Sequence, residues 1–108
     1  MLYQITFDID RQALGFGENA MKVRAAETER AVKAQQEGKL IGLWRRADCG
    51  GVVFILDVES HEALVAELSS LPIFPYVRSI GVVPLVAYPQ FPEFAKGQRP
   101  SSTSRISP

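Results

Sequence analysis

The chain has 108 residues, 46% of them hydrophobic, and twelve basic side chains balance twelve acidic ones for a formal net charge of zero. That length supports one hydrophobic core rather than two, and the balanced charge gives no electrostatic reason to expect nucleic acid as a partner. No apolar run approaches the roughly 20 residues that span a bilayer, and the N-terminus has neither a basic n-region nor a small-residue cleavage site; a cytoplasmic protein with no membrane partner is expected.

In chain order, residues 2–8 alternate, with Tyr3, Ile5 and Phe7 on one side and Gln4, Thr6 and Asp8 on the other. This is the pattern of a half-buried strand. A glycine-containing loop, Leu14-Gly15-Phe16-Gly17, leads into a helix over 18–37 that Gly38 stops. Residues 39–46 and 51–58 are two apolar strands, and Ala47-Asp48-Cys49-Gly50 between them is short enough for a hairpin. Ser60 offers an N-cap to a second helix, with Glu62 in its first turn and Ala63, Leu64, Leu68 and Leu71 at helical spacing before Pro72. A last strand covers 77–86, and Pro84 places its end near an edge or a bulge.

The order β-α-β-β-α-β is that of the α+β ferredoxin-like fold, a four-stranded antiparallel sheet with two helices on one face. The predicted domain is 1–88. Residues 89–108 form a Pro- and Ser-rich tail, expected to be disordered in its last dozen residues. Its aromatics Tyr88, Phe91 and Phe94 are spaced to anchor it on a neighbouring surface. Two helices on one face leave the other face bare, yet Val52-Val53-Phe54-Ile55-Leu56 is apolar on both sides. The simplest cover is a second copy of the sheet, so a homodimer or higher oligomer is expected.

Glu27 stands out on the first helix. At 100° per residue it falls among Ala20, Val23, Ala31 and Ala34, whereas Lys22, Glu29, Lys33 and Glu37 lie on the opposite side. A carboxylate aimed at the core is costly unless it is paired or used. Arg24, one turn earlier on the flank of the same arc, can close a local ion pair with it or bind a substrate carboxylate with its two-pronged guanidinium.

Further along, Gly42-Leu43-Trp44-Arg45, Asp57-Val58 with Ser60 and Glu62-Ala63-Leu64, and Leu71-Pro72-Ile73-Phe74-Pro75-Tyr76 stand in an order and spacing that resemble the muconolactone isomerase family. The helix carrying Glu27 and Glu29, ending in Gln36-Glu37-Gly38, is similar too. The resemblance covers roughly 1–88. It implies a ferredoxin-like subunit that pairs into a dimeric α/β barrel and assembles further, up to a decamer. It also implies a cofactor-free isomerase that shifts the double bond of an unsaturated lactone in the β-ketoadipate pathway of aromatic catabolism. The chain differs from that family's pattern at Gln4 and Thr6, where the first strand has His and Lys, and at Val52 and Phe54, where the third strand has Asn and Ser. These differences point to a more apolar pocket.

In that reaction a base removes a proton activated by the carbonyl and returns it elsewhere on the conjugated system, while a cation or hydrogen-bond donor steadies the dienolate oxygen. Glu27 is the expected base and Arg24 its catalytic companion. Trp44 is a candidate aromatic wall, Tyr76 a candidate donor to the carbonyl, and Phe54 a substrate-binding residue of the apolar pocket. Trp44 and Tyr76 read equally well as core or interface residues. Arg45 is expected on the other side of its strand from Trp44, at an interface or in a salt bridge. His61 reads as solvated surface and Cys49 as incidental. One His and one Cys supply a metal site poorly, so no metal is expected. Two alternatives stay open: a non-catalytic ligand-binding or assembly module on the same barrel, and another cofactor-independent enzyme such as a monooxygenase or cyclase.

Overall fold

The structure, a computed structural model, describes residues 1–97. The strands are β1 (Leu2–Ile9), β2 (Leu40–Arg45), β3 (Gly51–Asp57) and β4 (Val77–Leu85), and the helices are α1 (Arg11–Leu14), α2 (Glu18–Gln36) and α3 (His61–Ser69). Short 3₁₀ turns cover Phe74–Tyr76 and Pro92–Gly97. The sheet runs β2-β3-β1-β4 with every neighbouring pair antiparallel. This is the expected ferredoxin-like α+β arrangement, and β4, which carries Pro84, is an edge strand.

β1 organises the sheet because it is paired on both sides. Tyr3, Ile5 and Phe7 are buried, and their partners Leu56, Phe54 and Val52 on β3 share the helix-facing side. These side chains, with Leu64 and Leu68 from α3, form the core. Phe7 and Phe54 meet edge to face, with ring centroids 5.1 Å apart. The buried Tyr3 phenol is satisfied by Nδ1 of His61 at the start of α3.

Local chemistry sets most boundaries. Ser60 caps α3 by accepting from the Ala63 amide at 3.0 Å. Gly38 takes φ 80° and releases the chain from α2 into β2. A short helix, α1, forms over residues that the sequence pattern assigns to no element, ending at Leu14, where the expected glycine loop begins. Asp10 caps it through the Ala13 amide at 3.0 Å. The N-cap signal was there, but four residues leave no room for a hydrophobic period.

The β2–β3 hairpin is tied to β1 by Arg46, which reaches both Asp8 and Asp48. Ser79 on β4 donates to the other oxygen of Asp8. The Ser79 hydroxyl and then Arg46 hold the Asp8 carboxyl below its ordinary value, and the Gly50 amide and Arg46 do the same for Asp48.

The C-terminal aromatics meet one another: Tyr88 and Phe91 are tilted with centroids 6.2 Å apart, and Phe91 and Phe94 stack at 6.0 Å. The rest of the tail reading, beyond residue 97, lies outside the described residues.

Gly51 shows how tightly β1 and β3 meet. A Cβ there would stand 1.8 Å from the Phe7 carbonyl oxygen, so backbone rather than a movable side chain blocks it. Gly51→Ala is expected to cost about 3 kcal/mol or more, at the upper end of overpacking penalties. Urea unfolding should show the lowered midpoint.

Candidate functional site

A cavity of about 630 Å³ lies between α2 and the sheet. It exists because α2 faces the sheet largely with alanine: Ala31 and Ala34 line the space, where a longer side chain would fill it. Phe7, Phe54 and Leu56 form an apolar floor, and Leu71 and Ile73 contribute from the segment after α3.

Glu27 lines this cavity from α2 and is half-buried there, as its helical position predicts. Its Oε1 accepts a hydrogen bond from the Ile73 amide at 2.9 Å, which ties α2 to the connector before β4. Its Oε2 accepts no hydrogen bond among the described residues. Burial is the largest influence on the carboxyl and pushes its pKa above the ordinary value, against the Ile73 amide and the charge of Arg30, which both lower it.

Arg24 lines the same cavity, and the local pair with Glu27 does not form: among the described residues Arg24 pairs with no carboxylate. Arg11 and Arg45 also border the cavity without a carboxylate partner among the described residues. Arg45 stands opposite Val52, on the helix-facing side. It therefore does face away from Trp44, but toward the cavity rather than into a salt bridge. Arg11 carries no signal in the sequence, because the residues between the first strand and Leu14 show no periodicity that would orient it.

Phe54 is 5% exposed, on the cavity floor. Trp44 is placed differently. It borders the cavity from the β2 edge, yet it stands opposite Val53 and its ring lies over Gly42, on the sheet face away from the helices. Its six-membered ring fills the space a Gly42 Cβ would need, 2.4 Å from that position. Tyr76 is not among the cavity-lining residues, and its hydroxyl accepts from the Asn19 side chain at 3.1 Å. Gln4 and Thr6 likewise lie on the open face, opposite Ile55 and Val53. Of the four positions expected to make the pocket apolar, only Val52 and Phe54 line it.

His61 is exposed, as expected, but it has a partner in Tyr3. Cys49 adopts φ 62° in the hairpin turn and borders the cavity mouth. No group of three or more His, Cys, Asp or Glu suited to a metal occurs among the described residues. No described helix is long and apolar enough to cross a membrane.

The raised pKa of Glu27 has a consequence for stability. Its contribution is fully present below the unfolded-chain value and is lost as pH rises through the higher folded value. Glu27→Gln removes that loss and retains an acceptor for Ile73. Thermal melts across a pH series should show the variant gaining on the parent as pH rises from the ordinary glutamate value through the higher folded one.

The muconolactone delta-isomerase family pattern matches residues 1–91. The muconolactone delta-isomerase of Cupriavidus pinatubonensis is 36% identical over 89 residues, 82% of this chain and 96% of that one. The enzyme of Acinetobacter baylyi is 30% identical over 82% of this chain and 92% of its own. A crystal structure of muconolactone isomerase superposes with a TM-score of 0.74 at 34% identity, covering 82% of this chain and 92% of that chain. The chain belongs to the muconolactone delta-isomerase family.

Proposed function

We propose that this protein is a cofactor-independent isomerase that moves the double bond of a small, acidic, unsaturated lactone of the muconolactone type. The observation that carries the reading is Glu27: a half-buried carboxyl on an open apolar cavity, held at one oxygen by Ile73, with burial raising its proton affinity. A base that must take up a proton and return it works best when its pKa lies nearer the working pH than an exposed glutamate's.

The chemistry follows from the substrate class. Glu27 removes a proton from the carbon γ to the lactone carbonyl, and the electron pair moves through the ring onto the carbonyl oxygen. The dienolate then collapses, drawing the same proton from Glu27 onto the α carbon. The double bond has moved from α,β to β,γ, and nothing is oxidised or reduced. One carboxyl serves both steps.

Arg24, Arg11 and Arg45 supply positive charge to the cavity. Arg30, also on its wall, is already paired with Glu67. The three other guanidiniums suit a substrate carboxylate and the developing oxyanion. The floor of Phe7, Phe54 and Leu56 takes the apolar ring face. Trp44 and Tyr76 do not enter these steps.

The open sheet face supports self-association. Val53, Ile55, Trp44 and Val83 lie there beside Gln4 and Thr6, and Trp44 and Val83 are 55% and 52% exposed in the single subunit. A second copy of the same face buries this surface without new chemistry. Static light scattering should give a dimer or a multiple of it, and Val53→Lys should shift the particle toward monomer.

Turnover tests the assignment directly. With muconolactone as substrate, followed by ultraviolet absorbance, Glu27→Gln is expected to reduce kcat at least about a hundredfold, the typical contribution of a positioned acid–base group. Near-normal turnover by a folded Glu27→Gln variant would remove Glu27 as the base. A flat trace from the parent protein would exclude muconolactone itself.

A further inference from the structure

A second carboxylate lines the same cavity and has no part in the proton transfer. Glu67, on α3, is only 8% exposed, which a charged group tolerates only with close partners. It has two. Arg30 Nη2 stands 3.0 Å from Glu67 Oε2, and Lys39 Nζ stands 3.6 Å from Oε1.

Arg30 is three residues beyond Glu27 on α2, a spacing at which side chains are neighbours and an ion pair is the ordinary outcome. It forms no such pair among the described residues. Its guanidinium turns to α3, where Nη2 also donates to Ser70 Oγ at 2.7 Å. The Ser70 hydroxyl is preset for that role, because it spends its own hydrogen on the Glu67 carbonyl at 2.8 Å and leaves lone pairs for Arg30. Lys39, which also reaches Glu37 at 3.5 Å, holds the far oxygen of Glu67.

We propose that Glu67 is a positioning residue that captures Arg30 and so keeps the carboxyl of Glu27 free of a direct cationic partner. The inference rests on Glu27 being the base. The charged and titratable groups that share the cavity with Glu27 are Arg24 and Arg30 from α2, Arg11 from α1, Arg45 from β2, Cys49 from the hairpin, and Glu67. Among them Arg30 is the cation whose charge acts on Glu27, and it acts to lower the pKa. The Glu67 carboxylate, 3.0 Å from Arg30 Nη2, offsets that charge locally. Without Glu67, Arg30 is free to swing back to Glu27 and hold it as an ordinary surface ion pair, a poorer base at neutral pH.

The test is a titration of the Glu27 side-chain carboxyl by carbon-13 NMR, with the acidic limb of kcat/KM measured alongside. Glu67→Gln keeps the volume and removes the charge. It should move the Glu27 midpoint down by about one pH unit, the low end of the shift an opposite charge at contact distance produces. Arg30→Gln should move it up. The signature is a downward shift in Glu67→Gln that disappears when Arg30→Gln is also present, since loss of a nearby anion by itself would lower the midpoint in either background.

An unmoved midpoint in both folded variants, or movement in the same direction, would overturn the proposal. If Glu67→Gln does not fold alone, the double variant Glu67→Gln with Arg30→Gln is compared with Arg30→Gln: an unmoved Glu27 midpoint between them supports the proposal, and a further downward shift overturns it. The carboxyl titration needs no turnover. That signature in the carboxyl with an unmoved kinetic limb would uphold the role of Glu67 and reject Glu27 as the base.

Discussion

β1 is bound on both edges, and the alternation along it divides the molecule in two. Tyr3, Ile5 and Phe7 point to the helices, and Gln4 and Thr6 point away. Because directly opposed residues in antiparallel strands share a face, that alternation decides which half of β3 and β4 joins the core. Phe54 and Leu56 become floor, while Val53 and Ile55 become outer surface. A slip of one residue would exchange the two sets and abolish the cavity floor. Gly51, with no room for a Cβ against Phe7, helps to pin the register.

The cavity then follows from a mismatch between layers. The sheet offers large apolar side chains, and where α2 answers with the short Ala31 and Ala34 space is left between the layers. Into that space α2 projects one carboxyl rather than another apolar group. Burial of this kind destabilises the charged form of Glu27, and the fold offsets part of the cost with the Ile73 amide. Stability is thereby exchanged for proton affinity, as expected at sites built for acid–base work.

Charge around the cavity is organised by pairing. Glu67 sits deepest and takes Arg30 and Lys39, and Arg11, Arg24 and Arg45 stay without carboxylates among the described residues. The cavity is consequently cationic although the chain as a whole is neutral. Net composition says nothing of this local excess, because it averages over surfaces that never meet.

What residues disclosed on their own was whatever depends on local periodicity. The strand alternation, the α2 face bearing Glu27, the Ser60 cap, the Gly38 stop and the edge position of Pro84 are short-range properties, fixed by backbone geometry and legible along the chain. The same reading carried the family, because Leu-Trp-Arg and Leu-Pro-Ile-Phe-Pro-Tyr are contiguous. Tertiary structure decided which cation belongs to which carboxylate. Arg24 and Arg30 both stand three residues from Glu27 in sequence, yet among the described residues Arg24 forms no pair, and Arg30 is drawn off by a residue 37 positions away on α3. Trp44 and Arg45 show the same limit. Alternation places them on opposite faces, but only pairing with β3 reveals that Arg45 meets the cavity and Trp44 the open face. Ion pairs and strand faces are settled by long-range register and packing, which no stretch of chain contains by itself.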